Sequence, residues 1–134
     1  MKILFICKHN VFRSRVAEEY FNKINQNKGV TVMSRGLVMG GSSDSEQRSV
    51  ARELLGVNIA KRGPLPLKKD ELEETDKIIV VADDIPRVFF DYQIMTIQPK
   101  VEIWKIHDEQ LKRKSNIKKT VLKIKKKVDG LDKR

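Results

Sequence analysis

Apolar positions change their spacing several times along the chain, and each change predicts an element. Lys2 to Ile6 (KILFI) is a short apolar run without alternation, the pattern of a strand covered on both faces. From Ser14 to Lys28 apolar residues recur at three- and four-residue spacing, at Val16, Ala17, Tyr20, Phe21 and Ile24, which predicts a helix that stops at Gly29. VTVMS (Val30 to Ser34) predicts a second strand, closed by Arg35-Gly36. LVMGGSSDS is a loop by composition, and Asp44 or Ser45 at its end can cap a helix running through Val50, Ala51, Leu54 and Leu55 to Gly56. GPLPL (Gly63 to Leu67) is a break, and KKDELEETD reads as a short polar helix that feeds a third strand, KIIVVA (Lys77 to Ala82). Asp83-Asp84-Ile85-Pro86 opens a turn or short helix. VEIWKI (Val101 to Ile106) predicts a fourth strand ending at His107-Asp108, with Trp104 in the core rather than on a base-stacking surface. Ile117, Val121, Ile124, Val128 and Leu131 form one apolar stripe on a lysine-rich helix, placed at about residues 115–129.

Strands alternating with helices imply an α/β fold of three layers: a four-stranded parallel sheet with helices on both faces. The 134 residues suit a single domain spanning residues 1–134, with a core of its own. In such sheets ligands bind beyond the carboxyl ends of the strands. Cys7, the pair Asp83/Asp84 and Asp108 each follow a strand, so the fold is expected to gather a thiol and carboxylates on one rim.

Composition narrows the class. No segment approaches the roughly 20 continuous apolar residues of a membrane span, and MKILFIC is too short an apolar run for a secretory signal. A lone cysteine cannot close an internal disulfide, so a cytoplasmic location is expected. The net charge of +10 suggests anionic partners, but eleven Lys/Arg against two Asp fall between Lys112 and Arg134, leaving the body close to neutral. That lysine-rich helix reads as a solvated outer face. It carries no aromatic interleaving, zinc spacing or recognition motif, so nucleic acid is not the expected partner.

The chemistry concentrates in ICKHNVFRSR (Ile6 to Arg15), where the only cysteine stands between a strand and a helix start. One reading makes Cys7 a small buried hydrophobe at a strand end. In the other, Lys8, His9, Asn10, Val11 and Phe12 form a loop whose backbone N–H groups turn inward and, with the positive end of the helix dipole, bind a tetrahedral oxyanion. Amide dipoles and Arg13 would then favour the thiolate, which is the nucleophile. The planar Arg13 fork can hold two phosphate oxygens at once, and the Ser14 hydroxyl can hydrogen-bond the sulfur. Between Cys7 and Arg13 there is no glycine and no Gly-Lys-Ser/Thr, which excludes a nucleotide-binding loop. Asp108 and the pair Asp83/Asp84 both remain candidates for a general acid, the pair also reading as a helix cap. His9 and His107 read as structural or exposed.

Cys7, Arg13 and Ser14 in a C-x5-R-S arrangement after the first strand, with Ala17 and Glu18 in the next helix, resemble the low-molecular-weight protein tyrosine phosphatases. The thioredoxin-linked arsenate reductases share that fold. The likeness continues through VMSRG, RELLGVNIAKRGPLPL, KIIVVADD and VEIWKIHDEQ, nearly the whole chain. It implies that Cys7 attacks phosphorus and forms a phosphocysteine, and that Arg13 and the loop amides hold the equatorial oxygens. It further implies that Asn10 keeps the loop in its strained shape, that Ser14 faces the sulfur and that Asp108 protonates the leaving oxygen. No metal or cofactor is implied.

The chain departs from this pattern at four places. His9 stands where the family usually has glycine, so a loop backbone position carries a side chain, and a positive φ there would be uncommon though better tolerated than at a branched residue. Phe12 replaces a second loop cysteine. Glu109 replaces the proline after the acid, and Gln110-Leu111 replace aromatics that often line the substrate entrance; LVMGGSSDS also lacks an aromatic. The expected substrate is therefore a phosphorylated protein, phosphotyrosine included, or a small phosphate ester. The alternatives are arsenate reduction with an external thiol, or a non-catalytic module that binds phosphate or nucleic acid.

Overall fold

The computed structural model describes residues 1–86, 101–108 and 113–132. Four strands, β1 (Lys2–Cys7), β2 (Thr31–Gly36), β3 (Lys77–Val80) and β4 (Val101–Ile103), pair in parallel in the order β2-β1-β3-β4. The unalternated run KILFI takes an inner position because both of its faces are apolar. Ile3 and Phe5 enter one core and Leu4 and Ile6 the other, all at most 4% exposed. Each such side chain contributes about 1.5–3 kcal/mol on burial.

Helices α1 (Arg13–Ile24), α2 (Ser45–Leu55) and α4 (Lys114–Asp132) cover the face that receives Phe5, and α3 (Lys69–Glu74) sends Leu72 into the opposite core. The stripe Ile117, Val121, Ile124, Val128 and Leu131 turns inward, and α4 packs across α1 and α2. Trp104 is a core residue, its ring 5.7 Å from that of Phe5 and its Nε1 donating to Glu102 at 2.7 Å. No helix among the described residues is long and apolar enough to cross a membrane.

Local interactions fix three element ends, two of them departing from the sequence reading. The first helix ends at Ile24 rather than Lys28. Asn25 leaves helical geometry, its side chain donates to the carbonyls of Asn27 and Val30, and Asn27 accepts from Gly29 N–H. Asparagine side chains thereby offer the backbone an alternative to the next helical turn. The fourth strand stops its ladder at Ile103: Trp104 N–H still reaches Val80 O at 2.9 Å, but Lys105 adopts φ +50° and turns the chain. Of the two candidate caps for α2, Asp44 serves. It accepts from Gln47 N–H at 2.7 Å while Gln47 Oε1 accepts from Asp44 N–H at 3.0 Å, and Gly56 closes the helix at φ +67°.

Candidate active site

β1 ends on Cys7 and α1 begins at Arg13, so residues 8–12 turn the chain at the carboxyl rim of the sheet. Cys7 is 2% exposed. Its Sγ lies 3.0 Å from Ser14 Oγ and accepts from Asn10 N–H at 3.3 Å. Ser14 Oγ also accepts from Asn10 Nδ2 at 2.8 Å. That bond occupies an oxygen lone pair and leaves the hydroxyl hydrogen for the sulfur. Asn10 N–H thus donates to the sulfur, and the Ser14 hydroxyl stands within hydrogen-bond reach of it.

Asn10 sets the loop's shape. Its φ is +58°, a left-handed conformation that asparagine tolerates better than most residues, and it is this geometry that turns its N–H back toward the sulfur. The positive φ thus falls at Asn10, one residue after His9. His9 is held through its ring instead, with Nδ1 2.9 Å from Val38 O. The Asn10 carboxamide, fully buried, is satisfied on both sides. Nδ2 donates to Ser14 and, at 2.9 Å, to Ser34 Oγ, while Oδ1 accepts from Leu65 N–H at 3.0 Å and Arg62 Nη1 at 3.2 Å. A strained residue persists only when its surroundings over-determine it, and here four bonds do so.

Behind Asn10 stands a charged layer. Ser34 Oγ donates to Glu18 Oε1 at 2.7 Å, and the same oxygen accepts from Arg62 Nη2 at 2.9 Å and from Arg15 Nη1. Arg15, fully enclosed, also donates to Glu19 at 2.8 Å and to Ile59 O at 3.2 Å. Burial pulls Arg62 below the ordinary guanidinium pKa, Glu18 opposes this, and Arg15 and Arg35 add to the lowering. Gly36 completes the support: a Cβ there would lie 2.8 Å from the His9 carbonyl carbon and 2.9 Å from Asn10 N, so only glycine lets β2 end against the loop. Leu37 and Val38 N–H both donate to Lys8 O at 2.9 Å, tying the loop to the segment after β2.

Phe12 precedes α1 with no side-chain acceptor for the first-turn N–H groups, leaving the positive helix end facing the loop. Arg13, 3% exposed, donates through Nη1 to Ile106 O at 2.9 Å and meets the Asp84 carboxylate fork to fork at 3.3 and 3.4 Å. A cleft of about 250 Å³ opens above the sulfur, with Cys7, Val11, Phe12, Arg13, Gln47 and Asp108 in its lining. His9 contributes to the same wall, whereas exposed Lys8 and buried Asn10 and Ser14 do not.

The rival carboxylates are engaged elsewhere. Asp84 holds Arg13, Asp83 Oδ2 lies 3.0 Å from His107 Nδ1, and neither lines the cleft. Asp84 is thus an ion-pair partner of Arg13 and Asp83 a hydrogen-bond partner of His107, while the helix that the pair was expected to cap lies outside the described residues. Glu109, Gln110 and Leu111, where the sequence differs from the family pattern, lie outside the described residues. Sequence reasoning gave no role to Ser34, Gly36, Arg62 or Arg15. Ser34 and Gly36 stood in the quoted SRG that closes β2, a signal that was available; Arg62 reaches Asn10 from 52 positions away, and no local pattern announces it.

The family model for low molecular weight phosphotyrosine protein phosphatase matches residues 2–133. No curated protein sequence matches the chain. Among solved structures, a YwlE mutant from Bacillus subtilis superposes with a TM-score of 0.85 at 20% identity, covering 99% of this chain and 97% of that one. YwlE arginine phosphatase from Geobacillus stearothermophilus gives 0.84 at 20% identity, with 98% and 90% covered. A low molecular weight protein tyrosine phosphatase from T. tengcongensis gives 0.84 at 22% identity, with 98% and 97% covered.

Proposed function

Since the chain belongs to the low molecular weight phosphotyrosine protein phosphatase family and is a cysteine-based phosphatase, we propose that Cys7 is its nucleophile, Arg13 its phosphate clamp and Asp108 its general acid. The observation that carries this assignment is the floor of the cleft: a sulfur that accepts from Asn10 N–H and lies 3.0 Å from the Ser14 hydroxyl, with Arg13 and Asp108 in the same cleft. In the first step the Cys7 thiolate attacks phosphorus, an S–P bond forms as the ester P–O bond breaks, and Asp108 gives its proton to the departing oxygen. In the second, water attacks the phosphocysteine and passes a proton to the Asp108 carboxylate. Its oxygen forms the new P–O bond as S–P breaks, releasing inorganic phosphate and a thiolate that Ser14 and Asn10 stabilise.

Lys8, His9, Asn10, Val11, Phe12 and Ser14 form or support the oxyanion cradle through the loop backbone, with Arg13 supplying the fork. Residues 1–134 act as one phosphatase domain, a reading supported by the extent of the family match. The substrate is a phosphorylated protein or a small phosphate ester. Arginine and tyrosine phosphatases stand among the structural neighbours at equal similarity, so the choice of phosphorylated residue lies with the cleft walls. A reductive cycle on arsenate would need a second thiol, and since Cys7 is the only cysteine that thiol would have to be external.

Hydrolysis of a series of aryl phosphates, run with chelator present, tests the acid. Asp108→Asn should lose about 10²- to 10⁴-fold in kcat/KM on esters with poor leaving groups, and little where the leaving oxygen needs no proton. The dependence on leaving-group pKa steepens accordingly. If Asp84→Asn steepens it and Asp108→Asn does not, the acid is Asp84.

A further inference from the structure

Beside the catalytic cleft lies a second pocket of about 150 Å³. The two share Val11 and Ser42, so one thin rim divides them. Arg48 and Arg62 line the second pocket, with Ser43 between α2 and the rim, and no carboxylate lines it among the described residues. Arg48 projects from the first turn of α2, and its Nη1 donates to the carbonyl and, at 3.4 Å, to the hydroxyl of Ser43. Those neutral oxygens orient the guanidinium without cancelling its charge.

Arg62 supplies the back of the pocket. The donors on its two terminal nitrogens go to Asn10, Ser34, Glu18 and the Gly63 carbonyl, so it acts there mainly as a fixed charge. Glu18, which faces it, is shared with the fully enclosed Arg15. Arg15 also has Glu19, so these two guanidinium groups are matched by two carboxylates, and Arg48 at the rim adds a positive group that neither carboxylate meets. Such a pocket favours an anion, and a planar fork favours one with two oxygens.

We propose that this pocket is an accessory subsite for a second anionic group on the substrate, one that crosses the Val11–Ser42 rim while the phosphoryl group sits over Cys7. The inference rests on the function proposed above and extends it to a substrate class: a phosphorylated peptide segment with an anionic side chain, either carboxylate or a second phosphate, close to the reacting residue. Arg48 binds that group through its fork, and Arg62 holds it by field rather than by direct bonds. A small aryl phosphate has nothing that reaches the rim and gains nothing from Arg48.

Peptides carrying one phosphotyrosine, and a parallel set carrying one phosphoarginine, test this when they differ only in the neighbouring position: Glu, Gln or phosphoserine. With the wild-type chain, kcat/KM should be about tenfold higher for the anionic neighbours than for Gln, expressed in KM, as befits a charge-assisted hydrogen bond. Arg48→Met should erase that preference and Arg48→Lys keep part of it, with aryl phosphate hydrolysis within about twofold of wild type and the melting temperature as control. Preference for phosphoserine over Glu assigns the subsite to a second phosphate, and equal or better turnover with Glu assigns it to a carboxylate. A wild-type chain that hydrolyses aryl phosphate without favouring either anionic neighbour overturns the subsite, as does a preference that survives in folded Arg48→Met. Failure of the wild type on aryl phosphate itself would overturn the function on which the subsite rests.

Discussion

Cys7→Ser should abolish turnover of aryl phosphates, lowering kcat by about five to six orders of magnitude, the scale on which loss of a nucleophile is felt. Serine keeps the size of the side chain at the end of β1, and its hydroxyl finds partners in place, because Ser14 Oγ and Asn10 N–H already point at that position. The fold and the melting temperature should hardly move. A hydroxyl is a far weaker acid and a far weaker nucleophile than a thiol, and two hydrogen bonds cannot compensate for that difference. Phosphate should still bind, since Arg13 and the loop are untouched. Steady-state kinetics would read the first effect, and calorimetric titration of the variant with phosphate the second. A Cys7→Ser protein with more than a few per cent of wild-type kcat would show that the sulfur is not the attacking atom.

The second large effect is expected at Arg13. Its guanidinium is held by Ile106 O on one nitrogen and by the two Asp84 oxygens across the fork. Arg13→Lys keeps the charge but replaces the fork with a point charge that cannot meet the Ile106 carbonyl, Asp84 and phosphate oxygens together. In phosphoryl transfer, negative charge is spread over the equatorial oxygens in the transition state, so a positioned fork acts mainly on the chemical step. Arg13→Lys should therefore lose about 10²- to 10³-fold in kcat, the scale of losing one preorganised donor, with a smaller change in KM. A variant within about fivefold of wild type in kcat would remove Arg13 from the transition state.

What the chain disclosed by itself follows from the range of the interactions involved. The run KILFI, the helical spacing that follows it and the lone cysteine between them are local signals, and they placed β1, α1 and the sulfur at the rim of a parallel sheet. Resemblance in the C-x5-R-S stretch then supplied roles for Arg13, Ser14 and Asn10. The shape of the loop was less legible because it is decided far away in sequence. The left-handed residue is Asn10 rather than His9 because Ser34, Arg62 and Leu65 bond its carboxamide, and Gly36 leaves room for the adjoining backbone. The likewise distant pairing of Arg13 with Asp84, across 71 positions, separates the carboxylate that holds the Arg13 guanidinium from Asp108 in the cleft lining. The early end of α1 has a nearer cause, in asparagine side chains that compete for the backbone.

The most direct test is to stop the reaction before steady state with acid, digest the protein and locate the phosphoryl group by mass spectrometry, using an aryl phosphate in excess. A phosphocysteine at position 7 should appear in the wild type, accumulate in Asp108→Asn with a good leaving group, and be absent from Arg13→Lys quenched at the same early time. Turnover with no phosphoryl group on the protein, or with one on His9 instead, would contradict covalent catalysis by Cys7.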